Sequence, residues 1–350
     1  MITALSGPDA LAVRNAPEPT AKPGQTIVRV AAGGLNFADF MTAKGGYPGT
    51  PPPPLIAGRE FAGIALDGNG ESTGRRVMGY AQWAAFAERT AAHSNMLWPV
   101  PDHWTDEQAA AFPVNYFTAY LAYWQAGMTL GPTWGQPPSA VQQSAAPQPV
   151  WGRVSDPAAQ SAAPQRTPRV LIHAVAGGVG TAAVQIGRLL GVDMYGTSSS
   201  PEKLARVKDL GLQHGINYKQ HDYEEVVKNL THGEGVDAVF EMLGGEHTAK
   251  STRCLRDFGR VIQYGTATGK PPQLDIRAMY AKSASLQGLW LTYLCQKPEI
   301  MEPAWKQLSE WIAQRKLTPV IGQVLALDHA VEAYKLLQEG RNYGKVVLKI

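Results

Sequence analysis

Cysteine is nearly absent. The chain of 350 residues has two, Cys254 and Cys295, which excludes a disulfide framework and a cysteine-built metal cage. Charge is sparse and balanced: Asp, Glu, Lys and Arg make up 17% of the residues, and the formal net charge is +3. The basic residues are scattered, so no nucleic-acid-binding face is expected. The eight histidines show neither an H-E-x-x-H pattern nor clustered spacing. No basic stretch followed by an apolar core stands at the N-terminus, so no secretory leader is expected. No apolar run is long enough to span a bilayer. These absences point to a reducing, cytoplasmic setting without an integral membrane segment. The rest is ordinary globular composition, 44% hydrophobic, in a chain long enough for two domains and a sizeable core.

What is present is organised around residues 170–187. Val170-Leu171-Ile172 is a short apolar run that suits a fully buried parallel strand. A glycine turn follows, and then apolar residues at helical spacing: Val179, Ala183, Ile186, Leu190. The turn reads A-x-x-G-x-x-G at Ala174, Gly177 and Gly180. Its glycines let the backbone approach a pyrophosphate, and the helix start offers free N–H groups at a positive dipole end. Strand before and helix after make this a dinucleotide-binding signature, although glycines in such turns also serve packing alone. The fold class is therefore α/β. The next strand, Asp193 to Thr197, ends without the Asp or Glu that an NAD enzyme places about 20 residues past the glycines. It runs into Ser198-Ser199-Ser200-Pro201-Glu202-Lys203. Hydroxyls and a lysine suit a 2′-phosphate, which predicts NADPH over NADH. Ser200 also reads as the cap of a helix starting at Pro201.

Around this unit the chain reads as follows. Residues 1–30 alternate in a β manner, with Ile27-Val28-Arg29-Val30 the clearest strand, after turns at Pro17, Pro19 and Pro23-Gly24. Asn36 and Asp39, one helical turn apart, predict a short capped helix. A proline-rich loop, Tyr47-Pro48 and Pro51 to Pro54, leads to Ile56 to Ile64, whose small residues suit a curved β-barrel with close backbone approach. Strands are expected at Arg76–Gly79 and Ala84–Glu88, and an amphipathic helix opens at Pro113. Pro132 to Pro168 is rich in Pro, Gln, Ala and Ser and cannot bury enough apolar surface to order itself. It reads as a tolerated surface loop, or as a docking arm anchored by Trp134 and Trp151. Later strands are expected at Val236–Glu241, Gly259–Gly265 and Ser285–Trp290. Helices follow at Trp305–Lys316 and Ala330–Glu339, with a closing strand at Lys345–Leu348.

The order of these features resembles the zinc-free quinone oxidoreductase branch of the medium-chain dehydrogenase/reductase superfamily. The segments Gly34–Asp39, Gly46–Pro48, Gly58–Gly63, Asn115–Tyr120, Ala176–Gly180 and Gly344–Leu348 carry the resemblance. Val114 to Tyr120 looks nearest to the synaptic-vesicle membrane protein subgroup. The resemblance implies a Rossmann doubly wound parallel sheet over 123–295. A GroES-like β-barrel catalytic domain takes 1–122 and 296–350. The catalytic zinc positions of related alcohol dehydrogenases fall at Asn36, Arg59 and near Val114. None is a usual ligand, so no metal is expected. Without a Lewis acid alcohol oxidation is harder, whereas a conjugated acceptor takes up negative charge itself.

The implied activity is NADPH-dependent reduction of a quinone or an α,β-unsaturated carbonyl, enals and enoyl thioesters included. Asn36, Tyr47 and Thr118 are the catalytic candidates: Asn36 near nicotinamide and substrate carbonyl, Tyr47 as donor or lid, Thr118 toward the carboxamide. Ala176, Gly177, Gly178, Val179 and Gly180 would cradle the pyrophosphate. Lys203 and Tyr218 would hold the 2′-phosphate with Ser198 and Ser199, and Arg206 and Lys219 are alternative cations. Gly244, Gly265, Thr266 and Leu289 would line the nicotinamide ribose, with Asn342 and Lys345 on a loop beside it; Lys345 also reads as a solvated surface charge. The family's arginine shortly before the tyrosine is missing, since Ala43 and Lys44 stand there. A homodimer through the strand near Leu286 is implied. The competing reading is a cofactor-binding protein with little catalysis that acts through a protein or membrane partner.

Overall fold

A computed structural model describes residues 1–129 and 166–350. Most of the Pro132–Pro168 segment, with Trp134 and Trp151, lies outside the described residues. Chain order begins with β1 (Gln25–Leu35), α1 (Phe37–Ala43), β2 (Glu60–Leu66), β3 (Ser72–Tyr80), β4 (Arg89–His93), β5 (Leu97–Pro99), α2 (Asp106–Ala110) and α3 (Pro113–Gln125). The central unit comprises β6 (Arg169–Ile172), α4 (Gly178–Leu189), β7 (Asp193–Ser198), α5 (Pro201–Leu210), β8 (His214–Asn217), α6 (Tyr223–Leu230) and β9 (Val236–Glu241). It continues through α7 (Glu246–Cys254), β10 (Leu255–Gln263), α8 (Ile276–Ala281), β11 (Ser285–Gly288) and α9 (Leu291–Leu294). The chain closes with α10 (Pro298–Ala313), β12 (Ile321–Ala326), α11 (Ala330–Gln338) and β13 (Lys345–Lys349).

Two sheets result. The central one is six-stranded in the order β11-β10-β9-β6-β7-β8, and each pairing is parallel. Strand order reverses between β6 and β9, which makes it a Rossmann-like doubly wound sheet. Val170, Leu171 and Ile172 in β6 are fully buried, as an apolar run without alternation requires of a strand covered on both faces. The second sheet is seven-stranded, in the order β12-β13-β1-β2-β3-β5 with β4 on β1. It forms the GroES-like unit. Its curvature needs close backbone approach: β1 bulges between Val30 and Ala32 against β2, where a methyl on Gly63 would overlap the Arg29 carbonyl oxygen. Among the described residues no helix is long and apolar enough to cross a membrane.

Several expectations are corrected. Residues 1–24 hold no strand; Ile2 makes isolated bridges to Leu11 and Leu55, because the prolines remove ladder donors. Ala84–Glu88 is irregular. Ala84 has φ 68°, and the N–H groups of Ala84, Ala85 and Phe86 go to the carbonyls of Ile56, Gly58 and Ala57; the strand begins at Arg89. The helix opening at Pro113 is not amphipathic, since every α3 residue except Val114 is buried. It packs between α4 and α10 rather than against solvent. The helix expected from Trp305 starts earlier, at Pro298, and runs through Pro303. β12 was not expected at all: it lies at a sheet edge and is mostly exposed, so it carries no apolar alternation.

The bulge predicts that Gly63→Ala forces β1 and β2 apart at a cost of about 2 kcal/mol, the usual penalty for overpacking. Urea unfolding of the two proteins measures this. Equal midpoints would contradict the close-approach account.

Candidate functional site

Ligands bind open α/β sheets beyond the carboxyl ends of the strands, at the point where strand order reverses. Here that point is the turn from β6 into α4. Ala174 stands in the left-handed region at φ 49°, where a side chain costs about 1 kcal/mol that glycine would avoid. Gly177 is the N-cap of α4, and no side chain caps the helix, so its first N–H groups face outward at the positive end of the dipole. A methyl on Gly180 would overlap the Val175 carbonyl, and one on Gly178 would come within 2.7 Å of the Asn115 amide. The turn is thus held tightly against α3. Asn115 escaped the sequence analysis as a site residue, being one polar residue in an aromatic run. Thr118, one helical turn further on, is buried in the same helix. Ala176 is buried and Val179 half-buried beside the turn.

The C-terminal loop crosses to this turn. The Gly344 N–H donates to the Ala176 carbonyl at 2.8 Å, and Gly344 bridges Gly177. Asn342 donates from Nδ2 to the Gly344 carbonyl at 3.1 Å. Lys203 donates from Nζ to the Gly340 carbonyl at 2.6 Å, and partial burial pulls its pKa below the ordinary lysine value. Ser200 caps α5 by accepting the Lys203 N–H at 3.2 Å. The Ser198 carbonyl accepts the Tyr218 N–H at 3.1 Å, which sets the half-exposed tyrosine beside Ser198 and Ser199. Of the alternative cations, the Arg206 guanidinium lies on the Tyr343 ring at 3.5 Å, while Lys219 is exposed. Further along the edge, a methyl on Gly244 would reach Thr266, the Gly265 carbonyl accepts from Gln263, and the buried Leu289 donates its N–H to the Gln263 carbonyl. These residues share one edge and fit a dinucleotide: backbone room and N–H donors at the turn, hydroxyls and an ammonium beyond β7.

Facing this edge is a buried polar network. Asn36 precedes α1, and its N–H donates to Asp39 at 2.9 Å. That bond is the Asp39 half of a capping box with Asn36 as N-cap. Nδ2 donates to the Gly34 carbonyl and, at 2.8 Å, to Glu60, and Oδ1 accepts from Lys345 Nζ at 2.6 Å. Lys345 is also paired with Glu60, whose other oxygen accepts the Val114 N–H at 2.7 Å. Burial pushes the Glu60 carboxyl up, while Lys345, the Val114 N–H and Asn36 pull it back. Lys345 is 2% exposed, so it is not the solvated charge that one reading of the sequence allowed. Both Asn36 amide hydrogens are spent within the network.

The positions where related enzymes hold zinc do not fit a divalent cation. Asn36 is committed, Val114 contributes an N–H donor, and Arg59 is itself a cation bonded to Asp39 and Thr42. An ammonium already occupies the centre. Two aromatic rings enclose the Arg59 guanidinium: Tyr47 at 3.9 Å and Trp83 at 4.3 Å. Tyr47 Oη accepts from Trp290 Nε1 at 2.9 Å and lies 3.2 Å from Thr292 Oγ1, which is 2.6 Å from Tyr80 Oη. The proline-rich loop thereby reaches the Rossmann edge just past Leu289. A groove of about 820 Å³ lies elsewhere, under residues 11–19, and contains none of these residues.

Comparison with known proteins agrees with this fold. Residues 22–102 match the family model described as alcohol dehydrogenase GroES-like domain, and 178–314 match zinc-binding dehydrogenase. The human synaptic vesicle membrane protein VAT-1 homolog is 31% identical, over 99% of this chain and 85% of that protein. A quinone oxidoreductase-like protein 2 homolog of Nematostella vectensis is 28% identical, over 93% and 82%. The quinone oxidoreductase of Thermus thermophilus, solved also in complex with NADPH, is 31% identical with a TM-score of 0.79, covering 100% of this chain and 98% of that one.

Removing one partner of a buried ion pair leaves an uncompensated charge. Lys345→Met should therefore cost about 3–5 kcal/mol, and Glu60→Gln added to it should recover part of the loss. Urea unfolding measures both; a cost below about 1 kcal/mol, the range of surface pairs, would contradict the assignment.

Proposed function

The chain belongs to the medium-chain dehydrogenase/reductase superfamily, and from that premise we propose that it is an NADPH-dependent oxidoreductase that reduces a quinone or an α,β-unsaturated carbonyl without a catalytic metal. The observation that carries this reading is the buried Lys345–Glu60–Asn36 network at the zinc positions. A site without a Lewis acid cannot polarise an alcohol well. It suits an acceptor whose conjugated carbonyl takes the negative charge. The Thermus thermophilus relative, solved with NADPH, supports the cofactor.

When bound, NADPH supplies the hydride. The residues do the rest by holding and orienting. The first turn of α4 with Ala176 to Gly180 takes the pyrophosphate. Lys203, Tyr218, Ser198 and Ser199 take the 2′-phosphate, so Lys203 exchanges the Gly340 carbonyl for it. Gly244, Gly265, Thr266, Leu289 and Asn342 shape the nicotinamide end, and Thr118 lies behind it in α3. Asn36 acts as a positioning residue, because its amide is spent on Glu60 and Lys345. Tyr47 is the better donor to the acceptor carbonyl: Trp290 donates to its oxygen, which leaves its own proton free to turn from Thr292 to substrate. A homodimer is proposed through β11, an edge strand whose outer side is unpaired among the described residues, flanked by exposed Phe258 and Tyr280.

The test is oxidation of NADPH and NADH by a soluble quinone and by an enal, followed at the nicotinamide absorbance band. NADPH should be preferred, and Tyr47→Phe should lower kcat/KM about tenfold, the value of one lost hydrogen bond in the transition state. Preference for NADH, or no turnover of either acceptor, would overturn the reading; a Tyr47→Phe enzyme within twofold of the parent would remove the tyrosine from the site.

A further inference from the structure

Directly beneath the proposed dinucleotide edge lies a second buried polar chain that the reaction does not use. It joins the carboxyl ends of three adjacent strands, β9, β6 and β7. His173 follows β6, Thr197 is in β7, Glu241 ends β9, and Ser251 comes down from α7. All four are at most 1% exposed. His173 Nδ1 is 3.0 Å from Thr197 Oγ1, and His173 Nε2 is 3.0 Å from Ser251 Oγ. Ser251 donates to Glu241 Oε2 at 2.5 Å. Glu241 Oε1 accepts the N–H groups of Leu243 at 2.6 Å and Gly244 at 3.2 Å.

With the imidazole neutral, counting protons sets the direction of the chain. Ser251 has one hydroxyl proton and gives it to Glu241, so its oxygen accepts from His173. Nε2 of His173 therefore carries the imidazole proton, and the bare Nδ1 accepts from Thr197. Each link then has one donor and one acceptor, with the imidazole neutral. The surroundings agree. Burial lowers the His173 pKa, with Glu241 opposing and His247 and Lys250 adding to the effect. The Tyr223 ring meets the imidazole edge-on at 4.9 Å.

Both ends of the chain are attached to turns that carry site residues. At one end the Glu241 carboxylate shapes the Leu243–Gly245 turn, which in turn bonds to the 264–270 segment through Thr268 to Leu243 and Ala267 to Met242. At the other end His173 leads into Ala174 of the glycine turn, and the Thr197 carbonyl accepts the Val175 N–H at 3.0 Å. We propose that Thr197–His173–Ser251–Glu241 is a positioning relay that sets the nicotinamide-side turn in register with the pyrophosphate turn, with Glu241 and Ser251 as its positioning residues. This rests on the dinucleotide reading above.

The test combines cofactor affinity with a tautomer measurement on the full chain. Nitrogen-15 spectra of histidine-labelled protein should show His173 as the Nε2–H tautomer. Ser251→Ala cuts the relay and should raise the NADPH Kd about tenfold, one buried hydrogen bond's worth, with kcat at saturating NADPH within twofold. Glu241→Gln can reverse the chain: its amide donates to Ser251, Ser251 donates to Nε2, and His173 becomes the Nδ1–H tautomer. It should cost less affinity than Ser251→Ala and show the switched spectrum. Three results would overturn the relay: an Nδ1–H tautomer in the parent, no switch in Glu241→Gln, or an NADPH Kd in Ser251→Ala that equals the parent's, whether or not its melting temperature falls. The parent's tautomer tests the chain even if Ser251→Ala does not fold. A parent that binds no NADPH would instead overturn the cofactor reading.

Discussion

The ion pair between Lys345 and Glu60 is the constraint on which the site depends. It is buried on both sides, and two ions out of water are tolerable only when every remaining donor and acceptor is satisfied. Asn36 and the Val114 N–H complete that set. The four groups come from the end of β1, the start of β2, the first turn of α3 and the start of β13. Their positions are therefore fixed relative to one another by a shared charge. Because Gly344, one residue earlier, is bonded to Ala176 in the glycine turn, the same pair anchors the barrel-like sheet to the dinucleotide edge.

Around that anchor the chemistry is divided between two faces. The Rossmann edge supplies backbone: an uncapped helix start, tight glycines and strand ends of small residues. The other face supplies side chains, with Tyr47 held by Arg59 beneath its ring and by Trp290 at its hydroxyl. Trp290 and Thr292 follow β11 of the Rossmann sheet, whereas Tyr47 and Tyr80 belong to the barrel side. Tyr47 and Tyr80 thus meet the Rossmann side through few, directional contacts. Such contacts set geometry more than stability, since each is worth only about 1 kcal/mol net.

The Rossmann unit was legible because its signals are local. A buried run, a glycine turn and a 3.6-residue period sit within 20 residues of sequence, and the structure places β6 and α4 there. The Ser200 cap and the Asn36–Asp39 contact were legible for the same reason. Failures came where tertiary context overrides pattern. Ala84–Glu88 has strand composition, but Ala84 takes a left-handed turn and its neighbours bond to residues 56–58. The periodicity of α3 suggested a wet face that two neighbouring units in fact cover. The Glu60–Lys345 pair joins residues 285 apart in sequence; a carboxylate amid small apolar residues was its one local sign, and nothing near Lys345 named the partner. Asn36 has the type of a polar contact near nicotinamide and substrate carbonyl, but its partners Glu60 and Lys345 lie too far along the chain for local pattern to name.

The central claim is that an ammonium–carboxylate pair stands where related enzymes hold a metal, and that the chain works without one. Zinc content of the purified protein, measured together with its quinone-dependent NADPH oxidation before and after exhaustive chelation, tests this most directly. The account predicts substoichiometric zinc and an unchanged rate. One zinc per chain, with activity lost on chelation and restored by zinc, would contradict it.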